Sequence, residues 1–267
     1  MQIFIIIILS VIAIIIAFLL AVLIYDFILL KKRPLLQLYE QRKAQENFCS
    51  LDEMPEKLRH FFVILEDSGF YEHKGFLLEG IRDAIYLNGH AREIVTGGST
   101  ITQQLVKNLY FGFNKSYLRK LAEFFLALYA ERKLGKERIL EFYLNIIYFG
   151  NGIYGVYDAA EFYLNKSVKE LNPNQMFLLA AIPKAPTVGN PIQHPEVFER
   201  LRNKRVMVNL GAISEEDKND ILSHGAFCLD EELRKNDDFT KNYSQQIVLI
   251  NEIYGPQEKT SIKEKNK

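Results

Sequence analysis

The chain has 267 residues, enough for one sizeable domain or two small ones, and 48% of them are hydrophobic, ample for a core. Lys+Arg and Asp+Glu balance at 33 each, so no overall basic field points to a nucleic-acid partner. Cys49 and Cys228, the only cysteines, have neither metal-ligand spacing nor the density of a disulfide framework.

Residues 1–25 carry no charged side chain. The roughly 23 apolar positions of 3–25 make a helix of about 34 Å, enough to cross a bilayer. A cleaved signal peptide has a basic start and a shorter apolar core, so a retained anchor over 1–30 is expected. Lys31, Lys32 and Arg33 stop the span. Residues 31–50 are polar and charged, and read as a stalk or a first amphipathic helix.

From Asp52 onward the pattern is overwhelmingly helical. Leu58, Phe61, Phe62 and Leu65 recur at helical spacing, with Pro55 suited to the first turn and Gly69 to the exit. Glu66 and Asp67 therefore fall where a buried helix opens into a loop. A carboxylate there loses solvation, which suits a general base, although an ion-paired or capping acidic pair fits the local pattern equally. Residues 78–88 form a short helical pattern ending at Gly89. After a Gly97-Gly98-Ser99 turn, Thr100 and Gln103 make a capping box for a helix with Ile101, Leu105 and Leu109 inward. Residues 117–134 predict a longer helix burying Leu118, Leu121, Phe125 and Leu128 and closed by Gly135. A helix over 136–147 should bury Ile139, Leu140, Tyr143, Leu144 and Ile147. Gly150, Gly152 and Gly155 predict a flexible loop. Asn172, Pro173 and Gln175 supply cap, first-turn proline and capping glutamine for a helix over 173–182. Further helices are expected over 196–210 and from Ser214 and Asp217. Strand signals are weak, and the tail after Tyr254 is polar enough to be disordered. The fold class expected is mainly α, with one domain over 51–230, a partly disordered extension over 231–267, and one anchor.

Polar groups recur on these helices. Thr100, Gln104, Lys107 and Asn108 line one side of the capped helix. Lys115, Arg119 and Lys120 precede Glu123, which is i+4 from Arg119. The run also fits a solvated helix laced with ion pairs. Two carboxylates, a cationic cluster and an anchor nevertheless suit one chemistry. Glycosyl transfer from a lipid diphosphate needs a base for the acceptor hydroxyl, cations for the leaving phosphates, and a membrane.

At this point the sequence resembles the bacterial peptidoglycan glycosyltransferases, the lysozyme-like glycosyltransferase family 51. The pattern E-D-x-x-F-x-x-H-x-G is met by Glu66, Asp67, Phe70, His73 and Gly75. G-x-S-T-I-T-Q-Q is met from Gly97 to Gln104, with Lys107 and Asn108 following. R-K-x-x-E is met by Arg119, Lys120 and Glu123. The pattern K-x-x-I-L-x-x-Y-L-N-x-x-Y-x-G is met from Lys136 to Gly150, and Pro-Lys-Ala-Pro from Pro183 to Pro186. The chain departs at Gly189-Asn190-Pro191, where the family usually has Tyr-Asn-Pro, so no aromatic side chain stands at Gly189.

The resemblance implies a lysozyme-like glycosyltransferase domain on a single N-terminal transmembrane helix. Glu66 would act as general base and Glu123 would organise the donor diphosphate, directly or through a divalent cation such as magnesium or manganese. Ser99, Thr100, Gln104, Lys107, Asn108, Arg119, Lys120 and Tyr148 would line the substrate cleft. Asp67, Phe70 and His73 belong to the same cleft, with Asp67 and His73 read as holding the loop around Glu66 and Phe70 as packing. Asn145 would reach the cleft beside Tyr148. The implied partners are lipid II, the lipid-linked glycan strand, the membrane and other cell-wall synthesis proteins, with no nucleic acid. The catalytic part would lie on the extracytoplasmic, periplasmic face of the cytoplasmic membrane. No Ser-x-x-Lys transpeptidase motif is present, so a monofunctional form, or a bifunctional enzyme reduced to its first half, is expected. A lysozyme-like glycan hydrolase and an inactive membrane-anchored cell-wall scaffold are the competing readings.

Overall fold

The computed structural model describes residues 1–77, 99–111, 117–187, 190–209 and 211–223. The helix expected over 78–88, the Gly97-Gly98 turn, Lys115, Gly189, Cys228 and the C-terminal extension lie outside these residues.

The chain opens on α1, Gln2–Lys32, a helix of 31 residues. At 1.5 Å per residue it is about 46 Å long, and its apolar run is long enough to cross a membrane. Its buried residues are Val22 and Asp26, one turn apart, on the face that meets the rest of the protein. Helix α2, Leu35–Lys43, follows and buries Leu35, Leu38, Tyr39 and Arg42. The 31–50 segment is therefore packed onto the domain, and its polar residues do the holding. Arg42 Nε donates to the Asn145 carbonyl at 3.0 Å and Nη1 to Asn47 Oδ1 at 2.9 Å. Asn47 donates in turn to Asp158 at 2.6 Å. Asn145, expected in the cleft, is buried beneath this segment. Its amide exchanges hydrogen bonds with the Cys49 backbone N–H at 2.9 Å and carbonyl at 2.7 Å. A buried amide so satisfied is a staple, since all its donors and acceptors are used locally. Burial also pushes the Cys49 thiol up to about 12, which makes it an inert core residue.

Helix α3, Glu56–Glu66, starts one residue later than its proline suggested, because Pro55 takes the cap position itself. It ends at Glu66, ahead of Gly69, because Asp67 leaves helical geometry. Helix α4, Ile101–Tyr110, has the full Thr100/Gln103 capping box. It packs along α5, Tyr117–Ile146, which is broken at Gly135. There φ is 74° and ψ is 169°, a conformation a side chain would strain.

The buried face of α5 is not the one its large residues suggested. Ala122, Glu123, Leu126, Ala127 and Ala130 are buried, whereas Leu118 is 55% exposed and Leu121, Phe125 and Leu128 are only half-buried. Small side chains allow α4 to approach closely. The displaced apolar stripe lies on a helix that also touches bilayer-length α1, where apolar surface need not be hidden. Beyond Gly135 the expected face holds: Ile139, Leu140, Tyr143, Leu144 and Ile147 are all buried.

The glycine-rich loop is a small antiparallel hairpin, β1 Tyr148–Gly150 with β2 Ile153–Tyr154. Short glycine-rich strands lack the period-2 pattern that would have marked them. Helix α6, Val156–Leu164, leads to α7, Pro173–Ala181, capped by Asn172 and Gln175 as expected. A 3₁₀ turn, Ile182–Lys184, follows. Helices α8, Pro195–Val208, and α9, Glu215–Ser223, complete the described residues. Fully buried Arg202 fastens them, donating to Asn174 Oδ1 at 2.6 Å and to the Ile221 carbonyl. The core runs from α2 through α5 and α3 to α7. Edge-to-face rings mark its layers: Tyr39–Phe142, Phe62–Phe149 and Phe61–Phe177, at 5.6, 6.1 and 5.3 Å.

Candidate active site

Glu66 is the last residue of α3, and the helix presents it at the junction of α4, α5 and the Ile182–Lys184 turn. It is 7% exposed. Its Oε2 accepts from Gln104 Nε2 at 2.9 Å and from Lys184 Nζ at 3.1 Å. Its Oε1 is buried and accepts no hydrogen bond among the described residues. A buried carboxylate oxygen without a donor is costly. Gln104 is itself fixed, accepting from the buried Tyr143 hydroxyl at 3.2 Å. Arg205, whose Nη1 donates to the Ala181 carbonyl, also feels the field of Glu66.

The residues next to Glu66 build its frame. Asp67 accepts from His73 Nε2 at 2.9 Å and from the Ile101 backbone N–H at 2.9 Å, so it ties the loop to the start of α4. His73 Nδ1 accepts from the Gly75 N–H at 3.0 Å, which leaves Nε2 as the protonated nitrogen. Phe70 is fully buried, with Lys136 Nζ 4.4 Å from its ring centroid. Thr100 is also committed: its hydroxyl accepts from Gln103 and donates to the Gly75 carbonyl at 2.7 Å. With its one proton spent on Gly75, Thr100 holds the loop and has none to offer a phosphate.

The second carboxylate sits on the first turns of α5. Glu123 is 1% exposed and pairs through Oε1 with Arg119 Nε at 2.8 Å and through Oε2 with Lys120 Nζ at 3.0 Å. Lys120 also donates to Ser99 at 2.9 Å. Lys107, across on α4, is partly buried and lies in the fields of both Glu123 and Glu66. Burial lowers its pKa below the usual lysine range, with Arg119 and Lys120 adding to the effect and the two glutamates opposing it. The structure thus gathers Glu66, Glu123, Gln104, Lys107, Arg119, Lys120 and Ser99 around one face of α4. Asn108 lies on the same helix, half-buried. Tyr148 stays in the hairpin, its ring tilted 39° against that of Tyr154 with centroids 4.9 Å apart. For a divalent cation the donor set fits poorly. Glu123 has both oxygens on cations, and no cluster of three or more His, Cys, Asp or Glu side chains occurs among the described residues.

Sequence reasoning passed over Lys184 and Arg205. Lys184 stands inside the Pro-Lys-Ala-Pro element, so its signal was present. Nothing in the sequence around Arg205 indicated that α8 would bring it to Glu66.

Comparison with known proteins gives this arrangement a family. A family profile described as Transglycosylase matches residues 31–211, a span that begins in the last turn of α1. Penicillin-binding protein 1F of Bacillus subtilis is 44% identical over 154 residues, 58% of this chain and 22% of that protein. Penicillin-binding protein 1A of Aquifex aeolicus is 45% identical over 168 residues, 62% of this chain and 23% of that protein. Penicillin-binding protein 1A of Neisseria cinerea is 37% identical over 214 residues, 80% of this chain and 26% of that protein. The matched region spans about a quarter of the length of these relatives. With the profile covering more than half of its length, the chain belongs to the transglycosylase family.

Proposed function

We propose that this protein is a peptidoglycan glycosyltransferase that polymerises lipid II into glycan strands, with inversion at the anomeric carbon and release of a polyprenyl diphosphate. The observation that carries the reading is the buried Oε1 of Glu66, unpartnered among the described residues, beside a cluster of Lys107, Arg119 and Lys120. Oε1 takes the proton of the acceptor sugar 4-hydroxyl. The freed oxygen pair attacks the donor anomeric carbon from the face opposite the diphosphate. The carbon–oxygen bond to the diphosphate breaks, and its electron pair leaves as phosphate charge. Gln104 and Lys184 keep the carboxylate from rotating, so Oε1 stays aimed. Lys107, Arg119 and Lys120 stabilise the departing charge. Glu123 holds Arg119 and Lys120 in place and limits their mutual repulsion.

A hydrolase would need a water in place of the sugar acceptor and has no use for so many cations. The purified full-length chain in detergent or nanodiscs, incubated with lipid II, distinguishes the readings. Long strands support polymerisation; shortening of added strands supports hydrolysis; no reaction with either leaves only the scaffold. The reading also has α1 anchor the protein in the cytoplasmic membrane, with the catalytic part outside the cytoplasm.

A further inference from the structure

Helix α8 carries Arg202 and Arg205 three positions apart, on one face of the helix. They grip α7 at its two ends. Arg202 donates to Asn174 Oδ1 in the first turn of α7, and Arg205 Nη1 donates to the carbonyl of Ala181, its last residue. The last carbonyls of a helix carry partial negative charge, so a guanidinium suits the second place well. The backbone of Arg205 is held in turn, its carbonyl accepting from the Asn209 N–H at 3.1 Å and from Asn209 Nδ2 at 2.9 Å. Ala181 leads directly into the 3₁₀ turn, Ile182–Lys184, where the Ala185 N–H donates to the Ile182 carbonyl at 3.1 Å. Lys184, the last residue of that turn, reaches Glu66 Oε2 at 3.1 Å. A continuous line of contacts thus runs from α8 to Glu66.

We propose that Arg205 is a positioning residue for the reaction: by holding the end of α7 it keeps Lys184 on Oε2 of Glu66, which leaves Oε1 as the oxygen for the acceptor. The proposal rests on the glycosyltransferase reading above. Among the described residues Arg205 gives Glu66 no hydrogen bond; the donors to Oε2 are Gln104 and Lys184, and Oε1 has none. Its charge is nevertheless close. Burial lowers the Arg205 pKa below the usual arginine range, and the field of Glu66 opposes that shift. A cation tied to a backbone carbonyl at this range favours the ionised carboxylate without occupying either of its oxygens. Lys107, Arg119 and Lys120 lie on α4 and α5, outside this line of contacts, so the tie acts on the base and not on the phosphate cluster.

The test compares the full chain in nanodiscs with Arg205→Met, which removes both the donor and the charge, and with Arg205→Lys, whose ammonium reaches nearly as far. Thermal unfolding first establishes that each is folded. Should Arg205→Met fail to fold, Arg205→Gln, whose shorter side chain falls short of the Ala181 carbonyl, is read in the same way. The first readout is competitive acetylation of Lys184 by trace acetic anhydride, measured by peptide mass spectrometry against exposed Lys133. The Lys184 side chain is 29% exposed, enough for the reagent to enter. Its acetylation should rise several-fold in Arg205→Met and return towards the original level in Arg205→Lys. The second readout is strand synthesis from lipid II. Arg205→Met should lower kcat by about 10- to 100-fold with KM nearly unchanged, because a misaimed base slows the chemical step and leaves binding alone. Arg205→Lys should recover most of that rate. Combined with Lys184→Met, Arg205→Met should cost nothing further, since both act on one contact. Unchanged acetylation, a kcat that does not fall, or losses that simply add in the double variant overturns the proposal. Acetylation needs no turnover, so a chain that makes no strands but frees Lys184 in Arg205→Met retains the tie and loses the glycosyltransferase reading. A chain whose strand synthesis and Lys184 acetylation are both indifferent to Arg205→Met retains the glycosyltransferase reading and loses the tie.

Discussion

At the residue scale the site turns on the difference between the two oxygens of one carboxylate. Oε2 of Glu66 is clamped by Gln104 and Lys184, and Oε1 is kept buried and unpartnered among the described residues. Glu66→Gln retains size and most packing but removes the proposed base. Strand synthesis from lipid II should fall by about 100- to 10,000-fold, with thermal unfolding nearly unchanged. Near-wild-type synthesis would remove Glu66 from the reaction. Lys107 offers a pH test. Because burial lowers its pKa, it loses its charge at a lower pH than an ordinary lysine does. A rate that needs the charge therefore declines on the alkaline side earlier than usual. Lys107→Arg, which stays charged throughout, should move that limb of the kcat/KM profile to higher pH. An alkaline limb that stays where it was assigns the titration to another group.

At the element scale, glycine and caps decide where functional residues end up. A Cβ on Gly150, whose φ is +87°, would lie 2.5 Å from the Pro186 carbonyl oxygen and 2.7 Å from Asn190 Nδ2. The hairpin can lie against the 183–186 turn only because nothing projects there. Gly150→Ala should push that turn, and Lys184 with it, away from Glu66. The expected cost is about 1–3 kcal/mol in stability, with a fall in turnover, read by unfolding in detergent and by strand synthesis. Full activity in a folded variant would separate the turn from the chemistry. Thr100 makes a comparable point for α4. Thr100→Val keeps the shape but removes a cap and the bond to Gly75, at a cost of about 1–2 kcal/mol. A stability loss well under that range would show the hydroxyl to be dispensable.

At the scale of the whole molecule, two arguments about orientation disagree. Lys31, Lys32 and Arg33 follow the span, with Arg42 and Lys43 close behind, and no basic side chain precedes it. The positive-inside tendency alone would keep the catalytic part in the cytoplasm. Arg42, however, is buried in hydrogen bonds to Asn145 and Asn47, so it is a folded-domain residue as well as a flanking charge. The proposed function places the substrate on the outer face, and the proposed chemistry requires enzyme and substrate on one side. A reporter active only outside the cytoplasm, fused after Lys267, should therefore be active. Activity of the cytoplasm-only version alone would reverse the topology and deprive the proposed reaction of its substrate.

The sequence by itself determined the bilayer-length helix, the helical class, the Thr100/Gln103 and Asn172/Gln175 caps, and the break at Gly135. Each of these follows from local chemistry: an uncharged run, a side chain that reaches a nearby N–H, a residue without a Cβ. It also gathered Glu66, Lys107, Arg119, Lys120 and Glu123 into one expected site through motif and spacing. Tertiary structure decided which face of α5 is buried, because hydrophobicity points to large side chains whereas close helix packing selects Ala122, Ala127 and Ala130. It decided that Thr100 and Asn145 serve as ties, since a polar side chain reads the same in sequence whether its partner is substrate or backbone. It alone brought Lys184 to Glu66 across 118 positions of chain. Contacts of that kind depend on how helices pack, and no local pattern encodes them.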